Sequence, residues 1–240
     1  MAITRFMRKL RRPVRCIKRN WLAFTLGVCL TFCLSVAYQA LHKTQDPLRL
    51  MSSIVTIPWA PQTVVRWDAT IDQMARKYSI DPNLVAIIMT LESGGYSNAQ
   101  SGAGAIGLMQ VTPPTASDIA RKYLKQPVAT YDLYDPKTNI EFGVAYLAYL
   151  RSLYGDPQHD PSGYATVELI AAGYNGGPGA AKKLRDGQGL TSTETVSYSR
   201  DAANMWRERH ASNSPTFDRW LERGGQKLID KATAQTTVSQ

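Results

Sequence analysis

The sequence predicts a mainly α-helical domain carried behind an N-terminal membrane helix. Three observations support this. Asp81-Pro82, Thr112-Pro113 and Asp135-Pro136 each pair a capping side chain with a first-turn proline. No sustained period-two alternation marks a strand in the body. Residues 21–38 form an uncharged apolar run directly after a basic cluster.

Residues 1–20 hold Arg5, Arg8, Lys9, Arg11, Arg12, Arg15, Lys18 and Arg19, nearly all of the net charge of +9. The rest of the chain is close to neutral, so its basicity points to membrane orientation and not to a nucleic-acid partner. The run at 21–38 suits a short span. Cations on its N-terminal side predict a single pass through the inner (cytoplasmic) membrane, N-terminus inside, body in the periplasm or cell-wall space. A cleaved secretory signal is the alternative, with Ser35-Val36-Ala37 as small residues for a peptidase, although the run is longer than a signal core. Cys16, Cys29 and Cys33 all precede or lie within this segment, so the exported body holds no disulfide and no thiolate metal site.

Residues 39–61, with Pro47, Ser52, Ser53, Pro58 and Pro61, read as a tether. A helical domain is expected over 62–209. Residues 62–78 predict one helix that buries Val64, Val65, Ile71, Met74 and Ala75. A second, from Pro82, carries Leu84, Val85, Ile87, Ile88 and Leu91 and stops at Gly94-Gly95. Further helices are expected after Pro113, over 136–153 and over 166–172, where the tract Gly173-Tyr174-Asn175-Gly176-Gly177 reads as a breaker. Thr191 to Glu194 has capping-box form ahead of a helix reaching Arg209. Residues 210–240 read as an extension with one short helix and a polar tail.

Glu92 falls in the last turn of the second helix. The negative end of the helix dipole and shielding by Val85, Ile88 and Met89 both oppose its ionisation. A carboxyl kept protonated near neutral pH suits donation to a glycosidic oxygen. Gly102, Gly104 and Gly107 formally match a dinucleotide fingerprint, but a helix precedes them and Pro113-Pro114 follows, so a tight turn or small hairpin is the better reading. His42, His159 and His210 lack ligand spacing, and no metal or cofactor is implied.

Several blocks stand in order along the chain: Glu92-Ser93; Ser101 with Gly104-Ala105-x-Gly107-Leu108-Met109-Gln110; Asp135-Pro136-x-x-Asn139-Ile140; Ala171-Ala172-Gly173-Tyr174-Asn175-Gly176-Gly177-Pro178-Gly179; and Glu194-Thr195-x-x-Tyr198. Together they resemble the soluble-lytic-transglycosylase-type (SLT) catalytic domain, a lysozyme-like family that cuts bacterial peptidoglycan. The resemblance spans about residues 66–205 and implies a lysozyme-like fold, α+β with a minor hairpin. It implies cleavage between N-acetylmuramic acid and N-acetylglucosamine without water, giving 1,6-anhydromuramoyl ends. Glu92 would be the single acid and base, and Ser101 would bond the substrate's N-acetyl group. Met109 and Gln110 would line sugar subsites, Tyr174 and Glu194 would flank Glu92, and Asn175 and Tyr198 would complete the cleft.

Other roles stay open for some of these residues: Met109 as core, Ser101 as a partner of turn backbone, Tyr198 as core, Glu194 as a capping residue. Gly173 and Gly176 depart from the family's usual alanines. The implied partners are peptidoglycan glycan strands and the cytoplasmic membrane, with an envelope-spanning secretion or conjugation machinery as a candidate. A hydrolase using Asp118, Asp132, Glu168 or Glu194 to hold water, and a non-catalytic wall-binding protein, are the competing functions.

Overall fold

A computed structural model describes residues 55–125, 127, 131–156, 158–160 and 162–238. The basic segment 1–20, the expected membrane helix at 21–38 and the tether up to residue 54 lie outside the described residues. Among those described, no helix is long and apolar enough to cross a membrane. The helices in order are α1 (Gln62–Val65), α2 (Asp68–Tyr78), α3 (Pro82–Ser93), α4 (Pro113–Ile119), α5 (Pro136–Tyr154), α6 (Tyr164–Gly176), α7 (Pro178–Arg185), α8 (Thr193–Glu208), α9 (Pro215–Trp220) and α10 (Gln226–Val238). Both α4 and α9 widen into single π-type turns, Ala120–Leu124 and Leu221–Gly225.

Helix α3 is the centre of the packing. Residues 82–90 and Ser93 are buried, including Leu84, Val85, Ile87, Ile88 and Met89 at 0% exposure. A helix apolar on every side is stable only when enclosed. Each of these side chains contributes roughly 1.5–3 kcal/mol of burial. Helices α1, α2 and α8 pack against α3, while α6 packs between α5, α7 and α8. The three expected caps form: Asp81 accepts from Asn83 N–H, Thr112 from Thr115 N–H and Asp135 from Thr138 N–H, each with proline in the first turn.

Several expectations are corrected. The helix expected over 62–78 breaks at Arg66-Trp67, where the Arg66 guanidinium and the Trp67 indole both donate to the carbonyl of Gly95. Helix α6 does not stop before Gly173 but runs through Gly176. A Cβ at Gly173 would lie 2.8 Å from Leu150 Cδ2, so the glycine serves close helix packing. The capping residue of α8 is Ser192, accepting from Thr195 N–H, which moves Glu194 out of a capping box. The expected minor hairpin reduces to two isolated antiparallel bridges, Gln100 with Ile106 and Ile106 with Val111; among the described residues there is no strand. Positive φ at Gly104, Gly107 and Gln110 turns the chain before a ladder can extend.

The packed body also continues beyond 62–209. Residues 55–61, read from sequence as the end of the tether, bury Ile57 and Ala60. Thr56 N–H donates to Asn83 Oδ1 (2.8 Å), and Trp59 Nε1 donates to the carbonyl of Glu208 (3.0 Å). At the other end, α9 and α10 bury Trp220 and Ala232 against the body.

Candidate active site

Glu92 ends α3 half-buried, with its carboxylate Oε1 accepting a 2.6 Å hydrogen bond from the Tyr198 hydroxyl of α8. Burial pushes its pKa up to about 7. The Tyr198 bond opposes that shift and the charge of Glu194 adds to it. The phenols of Tyr174 and Tyr198 are raised well above their ordinary value, first by burial and then by the Glu92 charge, so both stay protonated donors. Directly after Glu92, the Ser93 hydroxyl donates to the carbonyl of Leu108 (2.7 Å) and accepts from Gly95 N–H (3.1 Å). One buried side chain thus ties the end of α3 to the loop that faces it.

That loop, residues 94–112, is fastened internally. The carbonyl of Ala99 accepts from Gly107 N–H (2.7 Å) and from Gln110 Nε2 (3.2 Å), while Gln110 Nε2 also donates to the carbonyl of Gly107 (3.0 Å). Ser101 Oγ accepts from Ala105 N–H at 3.0 Å, the turn-stabilising contact, which leaves its own O–H proton to donate. Met109, expected to line a sugar subsite, has its side chain buried. Its side chain is 0% exposed and sits against Gly143, where a Cβ would lie 2.6 Å from Met109 Cβ, because the loop folds down onto α5.

Helix α6 brings Tyr174, whose hydroxyl donates to the carbonyl of Met109 (2.7 Å) and whose ring lies 5.3 Å from that of Tyr146. Beside it, Asn175 Oδ1 accepts from Thr195 Oγ1 (2.7 Å), fixing the end of α6 to the start of α8. Glu194 is exposed in the first turn of α8, close enough to influence Glu92 through its charge. Glu92, Tyr174, Tyr198 and Glu194 therefore share one electrostatic neighbourhood, and Ser101 and Gln110 lie on the facing loop.

Asn139 is the supporting residue that sequence reasoning does not assign. Buried under the loop, it accepts from Met109 N–H (2.8 Å) and donates to the carbonyls of Ile106 (2.8 Å) and Leu133 (2.9 Å). Its signal is present in Asp135-Pro136-x-x-Asn139: four residues past the cap of α5, it sits one turn into the helix, on the side facing the loop. Tyr146, which donates to the carbonyl of Gly173 (3.1 Å), has no signal beyond its place on α5. No group of three or more His, Cys, Asp or Glu among the described residues is arranged to hold a metal ion.

The family profile described as Transglycosylase SLT domain matches residues 69–196, the stretch that carries Glu92, Ser101, Met109, Gln110, Asn139, Tyr174, Asn175 and Glu194, with Tyr198 two residues beyond its end. The chain belongs to the transglycosylase SLT domain family. Curated relatives of this SLT chain include membrane-bound lytic murein transglycosylase C of Actinobacillus pleuropneumoniae, 44% identical over 117 residues, covering 48% of this chain and 31% of the relative. The protein of the same name from Shigella sonnei is 34% identical over 150 residues, covering 60% of this chain and 41% of the relative. The SLT chain thus spans less than half the length of these relatives. Lytic transglycosylase Slt from Pseudomonas aeruginosa is a similar solved structure, with a TM-score of 0.47 and 28% identity over 62% of this chain and 25% of that one.

Proposed function

We propose that this chain is a membrane-anchored peptidoglycan lytic transglycosylase with Glu92 as its single acid and base. The carrying observation is the half-buried Glu92 carboxyl, its pKa pushed up to about 7, held by Tyr198 at 2.6 Å. Protonated Glu92 donates to the oxygen linking N-acetylmuramic acid to N-acetylglucosamine, and the bond from that oxygen to the muramoyl C1 breaks. The substrate's own N-acetyl oxygen stabilises the positive charge at C1. The muramoyl C6 hydroxyl then attacks C1, its proton returns to Glu92, and a 1,6-anhydro ring forms with no water consumed. A nucleophile already on the same sugar has an effective molarity on the order of thousands-fold or more over free water.

In this reading Tyr198 orients the carboxyl and steadies it while it is ionised. Ser101 donates its remaining proton to the N-acetyl carbonyl. Gln110, with Nε2 spent on the loop, offers Oε1 to sugar hydroxyls, and Asn175, with Oδ1 spent on Thr195, offers Nδ2. Tyr174 and Glu194 flank the cleft and keep Glu92 protonated through burial and charge. Residues 21–38 anchor the chain with the N-terminus inside, a reading supported by the cations of residues 1–20 and by the words "membrane-bound" in the relatives' names.

The test is mass spectrometry of purified peptidoglycan digested by the full chain and by its Glu92→Gln variant. The wild type is expected to release 1,6-anhydromuramoyl products, and Glu92→Gln to lose activity by roughly hundreds-fold or more, the scale for removing a general acid. Reducing-end products from the wild type, or a Glu92→Gln variant of full activity, would overturn the proposal.

A further inference from the structure

The C-terminal helix α10 lies outside the matched family segment, which ends at residue 196, yet it presses on the chain immediately after Glu92. Gly94 caps α3 in a left-handed conformation. A Cβ there would lie 3.1 Å from Leu228 Cβ and 3.2 Å from the backbone nitrogen of Ile229, so α10 runs against the exit of the Glu92 helix with almost no gap. One turn farther along α10, Ala232 is fully buried. Next, the Gln235 side chain closes a two-way hydrogen-bonded pair with Ser97: Nε2 donates to Ser97 Oγ (2.8 Å), while Oε1 accepts from Ser97 Oγ (3.0 Å) and Ser97 N–H (3.3 Å).

Arg66 joins the same assembly. It donates to the carbonyl of Gly95 (3.0 Å), to the carbonyl of Ala232 (3.5 Å) and to Thr236 Oγ1. On the far side, Thr63 Oγ1 donates to the carbonyl of Gly94 (2.6 Å). The turn leaving Glu92 is therefore gripped between α1 and α10. Its hold reaches the substrate-facing loop by a short route, because two residues after Ser97 comes Ala99, whose carbonyl receives both Gly107 N–H and Gln110 Nε2.

We infer that α10 is a positioning clamp for the lytic site, with Gln235 as its main polar contact: by fixing Ser97 it sets the placement of the Ser101 and Gln110 loop relative to Glu92. This rests on the transglycosylase reading above. Gln235 acts through Ser97 and the loop that follows it, and is a positioning residue. A loop free to shift by about an ångström would lower the chemical step far more than it lowers the stability of the fold.

The experiment uses the full chain in detergent as wild type, Gln235→Ala, Ser97→Ala, the double variant and Gln235→Glu, which keeps the Oε acceptor for Ser97. Turnover is measured on solubilised uncrosslinked glycan strands, alongside amide hydrogen exchange and thermal midpoints. Gln235→Ala is expected to speed exchange across residues 95–101 and lower kcat roughly tenfold, with KM little changed. The double variant should lose no more than either single one, and Gln235→Glu should retain most of the activity. Unaltered exchange at 95–101, unaltered kcat, or a loss explained by unfolding at the assay temperature would each overturn the clamp. A wild type that forms no anhydro product removes the transglycosylase reading, and the positioning role with it; failure of the clamp alone shows only in the variants.

Discussion

The glycines of residues 94–107 and those of residues 173–179 look alike as composition but meet different physical needs. In the first tract Gly95 and Gly107 have φ of 85° and 78°. A Cβ on Gly95 would lie 2.1 Å from the carbonyl oxygen of Thr63, and one on Gly107 would lie 2.4 Å from Asn139 Nδ2. Both conformation and space exclude a side chain there. In the second tract Gly173 and Gly176 are ordinary helical residues of α6. There the neighbour of Gly173 is a terminal methyl of Leu150, which can rotate. Gly95 and Gly107 shape a loop; Gly173 and Gly176 let helices approach.

Substitutions can break or sharpen this contrast. The largest stability effect is expected from Gly95→Ala, since the clash is with backbone. It should cost roughly 2–4 kcal/mol in a denaturant titration. Gly107→Ala comes next. Displacing Asn139 frees Met109 N–H and the carbonyl of Ile106, so strand cleavage should fall roughly a hundredfold, with a smaller stability loss of about 1–3 kcal/mol.

Glu92 lies just ahead of the first tract, and its effect on stability depends on pH. Burial raises its folded pKa to about 7 and that of the buried Asp81 to about 6, so each carboxyl holds a proton more tightly folded than unfolded. The stability they cost is absent below about pH 4, accumulates as pH rises from there toward those folded values, and is fully present above them. Glu92→Gln should therefore raise the thermal midpoint by roughly 2–4 °C at pH 8 and leave it nearly unchanged at pH 4. A gain of equal size at both values would contradict the burial argument.

Smaller still is Gly173→Ala. Helix propensity gained, about 1 kcal/mol, offsets crowding of Leu150, and the net change in thermal denaturation should stay within about 1 kcal/mol. Gly102 lies in the same loop as Gly107, but its φ is not positive and no atom comes within 4 Å of where its Cβ would stand. It should accept alanine within about 0.5 kcal/mol. If Gly173→Ala proved worse than Gly107→Ala, the distinction between the two tracts would fail.

What is legible in the sequence follows the range of the forces involved. The caps at Asp81, Thr112 and Asp135 are bonds across two or three residues, and all three are readable. Glu92 at the end of an apolar helix is readable for the same local reason, and the family motifs supply Ser101, Gln110, Tyr174 and Tyr198. The Tyr198 bond to Glu92 joins residues 106 apart, and Gln235 meets Ser97 across 138; no pattern of spacing reports such pairs. The continuation of α6 through Gly173 escapes a propensity argument because glycine's weak helix preference is overridden by packing against Leu150 and Ala181. The burial of Met109 against Gly143 is not legible either, because a motif names a residue without saying which way its side chain points.

The central claim is that one carboxylate cleaves the strand while the sugar supplies the nucleophile. Its most direct test is digestion of peptidoglycan by the full chain in water enriched in heavy oxygen, followed by mass spectrometry of the muramoyl ends. Anhydro ends carrying no heavy oxygen are expected. Label at the muramoyl C1 would mean that water attacks there, and that a second group activates it, with Glu194, whose charge reaches Glu92, as the candidate.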